Sequence, residues 1–160
     1  MRILALDVGA ARIGVALSDA SRTLASPYTT LHVSRDEAQT WATIERLIAE
    51  TEAQQLVVGL PVSLDGEIHE QGRRVQEFAA RLKEHIGIPL TFWDERLSTV
   101  EAERLLAERQ QEEGGKRSRR GGRQRGQGRR RGNRQGIDAL AAAVILQEYL
   151  DHLHHTTEGL

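Results

Sequence analysis

Short apolar runs, separated by polar and turn-forming residues, predict five strands along the chain. The first two runs flank the small residues 9–11, which predicts a β-hairpin. Pro27 falls near the start of the third, where a position with no N–H partner would tolerate proline. The fourth, 56–60, is continuously apolar, which is typical of a buried central strand. The predicted strands are 2–6, 13–17, 25–33, 56–60 and 90–93.

Helical periodicity occupies the segments between and after the later strands. Ser34 with Glu37, and Ser98 with Glu101, have the spacing of a capping box, which predicts that a helix starts at each serine. The last helix is apolar on nearly all sides from Ala139 onward, which is typical of a buried helix. The predicted helices are 34–51, 68–86, 98–111 and 137–153.

Three antiparallel strands followed by helix–strand units predict an α/β fold with a mixed sheet and helices on its faces. The length of 160 residues suits one such domain. The absence of cysteine excludes disulfides and thiolate metal sites and favours a reducing compartment, so we expect a cytoplasmic protein. No run approaches 18 apolar residues, and the opening run is too short for a signal peptide, which argues against a membrane location.

Charge is distributed very unevenly, although the formal net charge is only −1. Residues 114–136, here called the Arg/Gly segment, hold nine Arg, one Lys, eight Gly and no acidic residue. The rest of the chain is left with 12 basic against 23 acidic side chains. Such asymmetry indicates a globular body with an arm that seeks nucleic acid, and an apolar-free segment of this kind should be disordered when unbound. A tolerated low-complexity insertion is the alternative.

Three acidic residues stand where predicted apolar elements begin or end: Asp7, Glu95 and Asp138. Each has an ordinary explanation alone, namely an Asx turn, a solvent-facing strand end and a helix N-terminal charge. Together they could converge at one end of the sheet, where their repulsion would be relieved by a divalent cation. Oxygen ligands without cysteine favour Mg²⁺ or Mn²⁺, and two such ions suit phosphodiester hydrolysis.

Five stretches of the sequence, in order along nearly the whole chain, resemble the YqgF family, also called RuvX, of the RNase H-like superfamily. They are LALDVGAARIGVALSD (4–19), VVGLPVSLDG (57–66), RVQEFAARL (74–82), DERLSTVEAERLL (94–106) and IDALAAAVILQEYL (137–150). The resemblance implies an RNase H-like fold with a mixed five-stranded sheet, three antiparallel then parallel strands, and helices on both faces. It places one nuclease domain at 1–112 and 137–153, a flexible Arg/Gly-rich insertion at 113–136 and a polar tail at 154–160.

The same resemblance implies roles for individual residues. Asp7, Glu95 and Asp138 would be the catalytic carboxylates and metal ligands, and Asp94 would be a helper or substitute. Four motif residues would bind substrate phosphates, namely Arg12, Arg96, Ser98 and Thr99. Four more candidates come from the composition of the Arg/Gly segment and not from the resemblance, namely Arg117, Arg119, Arg120 and Arg123. Relatives usually carry a shorter basic loop at this point, so the position of Asp138 depends on the IDALAAA match.

The function implied by the resemblance is metal-dependent cleavage of an rRNA precursor at the 5′ end of 16S rRNA, by a monomer or homodimer. A Holliday junction nuclease acting on branched DNA is the nearest alternative, and it predicts a symmetric dimer. A non-catalytic nucleic-acid-binding module is a second alternative, opposed by the presence of all three acids. A third is an ATP-binding domain of the actin and sugar-kinase type, which needs two such domains where this chain has room for one.

Overall fold

A mixed sheet with strand order β3-β2-β1-β4-β5 is the centre of the molecule. The structure, a computed structural model, describes residues 1–62, 65–94 and 127–158, with side chains of the last range described over 136–155. The strands are β1 (Arg2–Val8), β2 (Arg12–Ser18), β3 (Ala25–His32), β4 (Ala53–Leu60) and β5 (Leu90–Asp94). All five predicted strands are confirmed, with ends that differ by up to three residues.

The sheet changes direction at β1, which pairs antiparallel with β2 and parallel with β4. The β1–β2 hairpin is closed by the Gly9 N–H, which donates to the Arg12 carbonyl at 2.9 Å. β3 continues the antiparallel half as an edge strand, so Pro27 takes no donor away from a central ladder. β5 pairs parallel with β4. The predicted arrangement of three antiparallel strands followed by parallel ones is therefore confirmed.

The N-cap of the first helix, α1 (Glu37–Thr51), lies two residues later than predicted. Asp36 is the N-cap, and its Oδ1 accepts from the Ala38 N–H at 3.1 Å. The capping box predicted for Ser34 and Glu37 is wrong, because the Ser34 hydroxyl instead accepts from the Asp36 N–H at 3.2 Å. Both side chains can cap a helix, and the turn before α1 leaves only the aspartate in position to do so.

The second helix, α2 (Glu70–Lys83), lies within its predicted range, whereas the last helix, α3 (Gln127–Glu158), is longer than predicted. α3 starts well before Ile137 and extends past His154, so it takes in the end of the Arg/Gly segment and most of the predicted polar tail. Leu140 is 40% exposed, so the prediction that this helix is buried on all sides is wrong. The helix predicted over 98–111 lies outside the described residues.

Helices cover both faces of the sheet, as predicted. The face bearing Leu4 and Leu6 packs against α1 and α2, and the face bearing Ile3 and Ala5 packs against α3. The helix residues of the first core are Trp41, Ile44, Leu47, Val75, Phe78 and Leu82. Those of the second are Ala142, Ala143, Ile145, Leu146, Tyr149 and Leu150. Across the part of the chain that is described, no helix combines the length and apolar character that a membrane crossing needs.

Candidate active site

Asp7 lies next to the end of β1, at the edge of the sheet where β4 and β5 also end. Side chains alternate between the two faces of a strand. Ile3 and Ala5 pack in the core under α3, so Asp7 lies on the same face and is half-buried there. This places a carboxylate at the border between an apolar core and the sheet edge.

Gly14 brings α3 to Asp7, because it pairs with Asp7 across the β1–β2 ladder and offers no side chain. A Cβ added at Gly14 would overlap the backbone carbonyl of Asp138 and touch the Ala139 nitrogen. Only glycine lets the helix backbone approach the strand this closely. The absence of a side chain at Gly14 therefore sets the position of Asp138 over the end of β1.

Asp7 and Asp138 are close enough to affect each other electrostatically. Burial raises the pKa of Asp7 from 3.8 to about 6, and the charge of Asp138 adds to the increase. Desolvation and a neighbouring like charge both disfavour the carboxylate form. A buried carboxylate beside a second acidic side chain makes a site at which a cation would be stabilised.

Arg12, the first residue of β2, pairs with Asp138 in this arrangement. Its Nε donates to Asp138 Oδ2 at 2.6 Å, and the two side chains are 34% and 25% exposed. Arg12 shares the α3 face with Gly14 by strand alternation, so the pair lies beside Asp7. Asp138 lies well inside α3, so its explanation as a helix N-terminal charge is wrong.

The donor set of these two residues fits a hard divalent cation. Asp7 and Asp138 supply carboxylate oxygens, the ligands that Mg²⁺ and Mn²⁺ prefer, and the chain has no thiolate to offer. The charge of Asp138 contributes to the raised pKa of Asp7. A cation bound by both side chains would relieve this repulsion.

Asp94 closes β5, level with Leu60 at the end of β4. Trp93 packs in the α3 core and Phe92 against the opposite core, so alternation places Asp94 on the face away from Asp7. The structure does not bring Asp94 to the Asp7–Asp138 pair. The other predicted site residues lie outside the described residues: Glu95, Arg96, Ser98, Thr99, Arg117, Arg119, Arg120 and Arg123.

Two features near the sheet edge were missed by the sequence analysis. Gly14 is one, and a glycine inside an apolar strand run is a signal of close backbone approach that could have found it. The other is a group in the described residues, Asp65, Glu67 and His69, whose ligand atoms lie within 4.8 Å of one another. All three are exposed, so this group lacks the burial that distinguishes Asp7.

A cavity of about 470 Å³ lies on the opposite face, between α1, α2 and the turn after β1. Its apolar wall includes Trp41, Val75 and Phe78, and its rim includes Glu77 and Arg81. The sheet separates this cavity from the Asp7–Asp138 pair, so it is not part of the candidate site.

Comparison with known proteins agrees with this architecture. A family profile described as RuvX, Holliday junction resolvase, matches residues 1–152. Proteins from Thermoanaerobacter pseudethanolicus and Roseiflexus sp., each named "Putative pre-16S rRNA nuclease", are 41% and 42% identical over 151 residues. The first alignment covers 94% of this chain and 96% of the relative, and the second covers 94% of each.

A solved structure with the same fold is T. thermophilus RuvC in complex with a Holliday junction substrate. It superposes with a TM-score of 0.51 at 12% identity, over 94% of this chain and 93% of that one. This likeness confirms the RNase H-like fold. The profile match and the high coverage of the relatives confirm the resemblance seen in the motifs, and the chain belongs to the RuvX family.

Proposed function

We propose that this protein is a nuclease that hydrolyses phosphodiester bonds with a divalent cation held by Asp7 and Asp138. The observation that carries the proposal is the meeting of these two acids, from β1 and α3, at one edge of the sheet. The raised pKa of Asp7, the oxygen donors of both acids and the adjacent guanidinium of Arg12 are features suited to a cation and a phosphate. Mg²⁺ and Mn²⁺ are the expected ions.

Glu95 is proposed as the third carboxylate of this site. It follows Asp94 directly in the sequence, and Asp94 belongs to the face of the sheet away from Asp7. The alternation of β5 therefore favours Glu95 over Asp94 as the residue that joins Asp7 and Asp138. Three carboxylates would suffice to hold two ions, which supports the two-metal type of hydrolysis as the detailed proposal.

Asp7 and Arg12 would have different roles in the proposed hydrolysis. The chemistry that the cation supplies, when bound, is stabilisation of the negative charge that develops on the phosphoryl oxygens. Asp7 must be ionised to serve as a ligand, and the cation's own charge favours that form. Arg12 offers donors at the rim of the site, where they could bind the substrate backbone.

The proposed substrate is the 5′ region of a 16S rRNA precursor. The name carried by the two relatives, at about 40% identity over nearly the full chain, supports this substrate. The description of the family profile as Holliday junction resolvase supports branched DNA as the second candidate. Purified protein should be offered both substrates, and its mass in solution measured, since a resolvase acts as a symmetric dimer.

The decisive experiment is cleavage of 16S precursor fragments with Mg²⁺ or Mn²⁺, comparing wild type with Asp7→Asn. We expect cleavage by the wild type and only background cleavage by Asp7→Asn, because the amide cannot replace an anionic ligand. Asp65→Asn is the matched control, since it makes the same change in the exposed acidic group and should leave the rate unchanged. Full activity of Asp7→Asn, or loss of activity in Asp65→Asn, would contradict the proposed site.

A second pair of variants tests the third carboxylate. Glu95→Gln should reduce cleavage to background, whereas Asp94→Asn, one residue away, should keep most of it. The reverse result would show that Asp94 is the ligand and that the alternation of β5 does not continue past its last described residue.

A further inference from the structure

The contact between Arg12 and Asp138 carries an inference about the order of events in the site. Arg12 Nε donates to Asp138 Oδ2 at 2.6 Å, so the guanidinium occupies one of the two oxygens that Asp138 could offer to the proposed cation. The side chains are 34% and 25% exposed, so the pair lies at the rim and is not sealed in the core. The described part of the chain thus already holds a positive group on the proposed metal ligand.

A guanidinium and a divalent cation compete for such an oxygen. Mg²⁺ binds carboxylate oxygens at about 2.0–2.1 Å, and the charge of such a cation repels a guanidinium on the same atom. The backbone of Arg12 is fixed, since it pairs with His32 and accepts from the Gly9 N–H. Its long side chain retains rotatable bonds and reaches solvent, so it can leave Asp138 while the strand stays in place.

We propose that Arg12 takes the place of the metal on Asp138 while no cation is bound, and that cation binding releases the guanidinium toward the phosphates of nucleic acid. This inference rests on the proposed function, because it requires Asp7 and Asp138 to be the metal ligands. Arg12 then couples two binding events. Metal entry exposes a phosphate-binding group, and by linkage bound nucleic acid favours metal entry.

The test measures Mn²⁺ binding by calorimetry on the full chain without nucleic acid. Arg12→Gln removes the competing charge, so the dissociation constant for Mn²⁺ should fall about fivefold, the modest change that matches loss of a partly exposed ion pair. Arg12→Lys keeps a charge but loses the Nε–H donor, and an intermediate value is expected. Arg74→Gln is the matched control, because Arg74 pairs with Glu70 at 2.7 Å on the exposed face of α2 and its loss should not change the constant.

The sign of the change separates this role from a structural one. If Arg12 merely held Asp138 in position, Arg12→Gln would bind Mn²⁺ more weakly, and that result or an unchanged constant overturns the inference. An equal gain in Arg74→Gln also overturns it, because the effect would then be one of net charge. Asp7→Asn that binds Mn²⁺ as tightly as wild type would show that the proposed metal site itself is wrong.

A kinetic measurement tests the release toward phosphate. With Mn²⁺ saturating, Arg12→Gln should cleave 16S precursor fragments with a raised KM, since the freed guanidinium no longer meets the substrate. An unchanged KM would contradict this half of the inference even if Mn²⁺ bound more tightly.

Discussion

Asp7 is half-buried, so its ionised carboxylate is less well solvated in the folded protein than in the unfolded chain. Its pKa of about 6 lies above the value of 3.8 expected in the unfolded chain, first because of burial and then because of Asp138. The protonated form is therefore favoured by folding, and the ionised form is held at a cost in stability. At neutral pH Asp7 is ionised and the folded protein loses this stability, yet a metal-dependent nuclease would need Asp7 in its ionised form.

This cost predicts a pH dependence of stability in metal-free buffer. The folded protein binds the Asp7 proton more tightly than the unfolded chain, so this residue makes stability fall as the pH rises from about 4 to about 6. Asp7→Asn lacks the ionisation and should exceed the wild type in free energy of unfolding at pH 7.5 by about 3 kcal/mol. The difference should vanish near pH 4.

Urea denaturation at a series of pH values, with chelator present, measures this difference. Glu50→Gln on the exposed face of α1 is a control for loss of one acidic side chain. A gap between Asp7→Asn and wild type that stays constant from pH 4.5 to 7.5 would show that ionisation of Asp7 is not its cause.

Gly14 is the second residue on which the site depends, and it can be tested by a single methyl group. Gly14→Ala places a Cβ against the Asp138 carbonyl, so α3 must shift or tilt. We expect a loss of about 1–3 kcal/mol in free energy of unfolding, as for other overpacked positions, together with a large loss of cleavage. Gly87→Ala is the control, since a Cβ there meets nothing within 4 Å. Normal stability and activity of Gly14→Ala would mean that α3 does not depend on this close approach.

At the scale of elements, α3 packs one of its faces against the sheet and leaves another exposed. Its buried residues pack over β1, β2 and Trp93 of β5, while Leu140 remains 40% exposed. Gln147 ties the helix to the start of β3, since its side chain accepts from the Ala25 N–H and donates to the Thr23 carbonyl. Packing and these hydrogen bonds hold α3 where Asp138 meets Asp7.

Two leucines of α3 test how much of this attachment comes from apolar burial. Leu146→Ala removes a fully buried side chain from the core under α3 and should lower the free energy of unfolding by about 2–5 kcal/mol. Leu140→Ala removes the same atoms from an exposed position and should cost well under 1 kcal/mol. Urea denaturation measures the free energy of unfolding of both variants. Equal losses would show that burial against the sheet does not make Leu146 more important for stability than Leu140.

Local patterns predict the elements well because each depends on neighbours in the sequence. The hairpin at 9–11, the buried strand ending at Leu60 and the turn at Gly66, whose φ is 85°, all follow from residues that are adjacent to them. The cap of α1 was misplaced because Ser34 and Asp36 have similar propensities, and the choice depends on the detailed turn.

Contacts between distant segments could not be predicted in the same way. Arg12 and Asp138 are separated by 126 positions, and no local pattern shows that they form an ion pair. The place of Gly14 under α3 depends equally on the docking of two elements. The family motifs predicted candidate residues for the site, whereas the pairing of Arg12 with Asp138 and the opposite faces of Asp94 and Asp7 could be seen only in the fold.

At the scale of the whole molecule, the separation of charge is the dominant feature. Ten basic residues lie in the Arg/Gly segment, and the rest of the chain has an excess of acid. A body of this charge repels a polyanion, so the segment should supply most of the attraction to nucleic acid.

This attraction predicts a salt dependence that the segment controls. In an Asp7→Asn background, which should prevent cleavage, five basic residues of the segment are replaced by Gln. They are Lys116, Arg117, Arg119, Arg120 and Arg123. If each neutralises one phosphate of single-stranded RNA, the slope of log K against log salt becomes less steep by about 3.5, and a fourfold salt rise no longer costs about 100-fold in affinity.

The measurement is a fluorescence titration of labelled RNA at several salt concentrations. The control replaces Arg46 of α1 and Arg73 of α2, which lie outside the segment. If the slope of log K against log salt is the same with and without the five charges, the segment does not contribute to RNA binding.

The close contact between Gly14 and the backbone of Asp138 also determines when the protein can become active during its synthesis. The first two strands emerge from the ribosome well before Asp138 and the apolar residues of α3, which follow every strand of the sheet in the sequence. Contacts between such distant parts of a chain form late, after the intervening segments are in place. A growing chain therefore has no assembled site before α3 is made, and a nuclease whose proposed substrate is a ribosomal precursor acquires its activity only after α3 has been synthesised and has packed on the sheet.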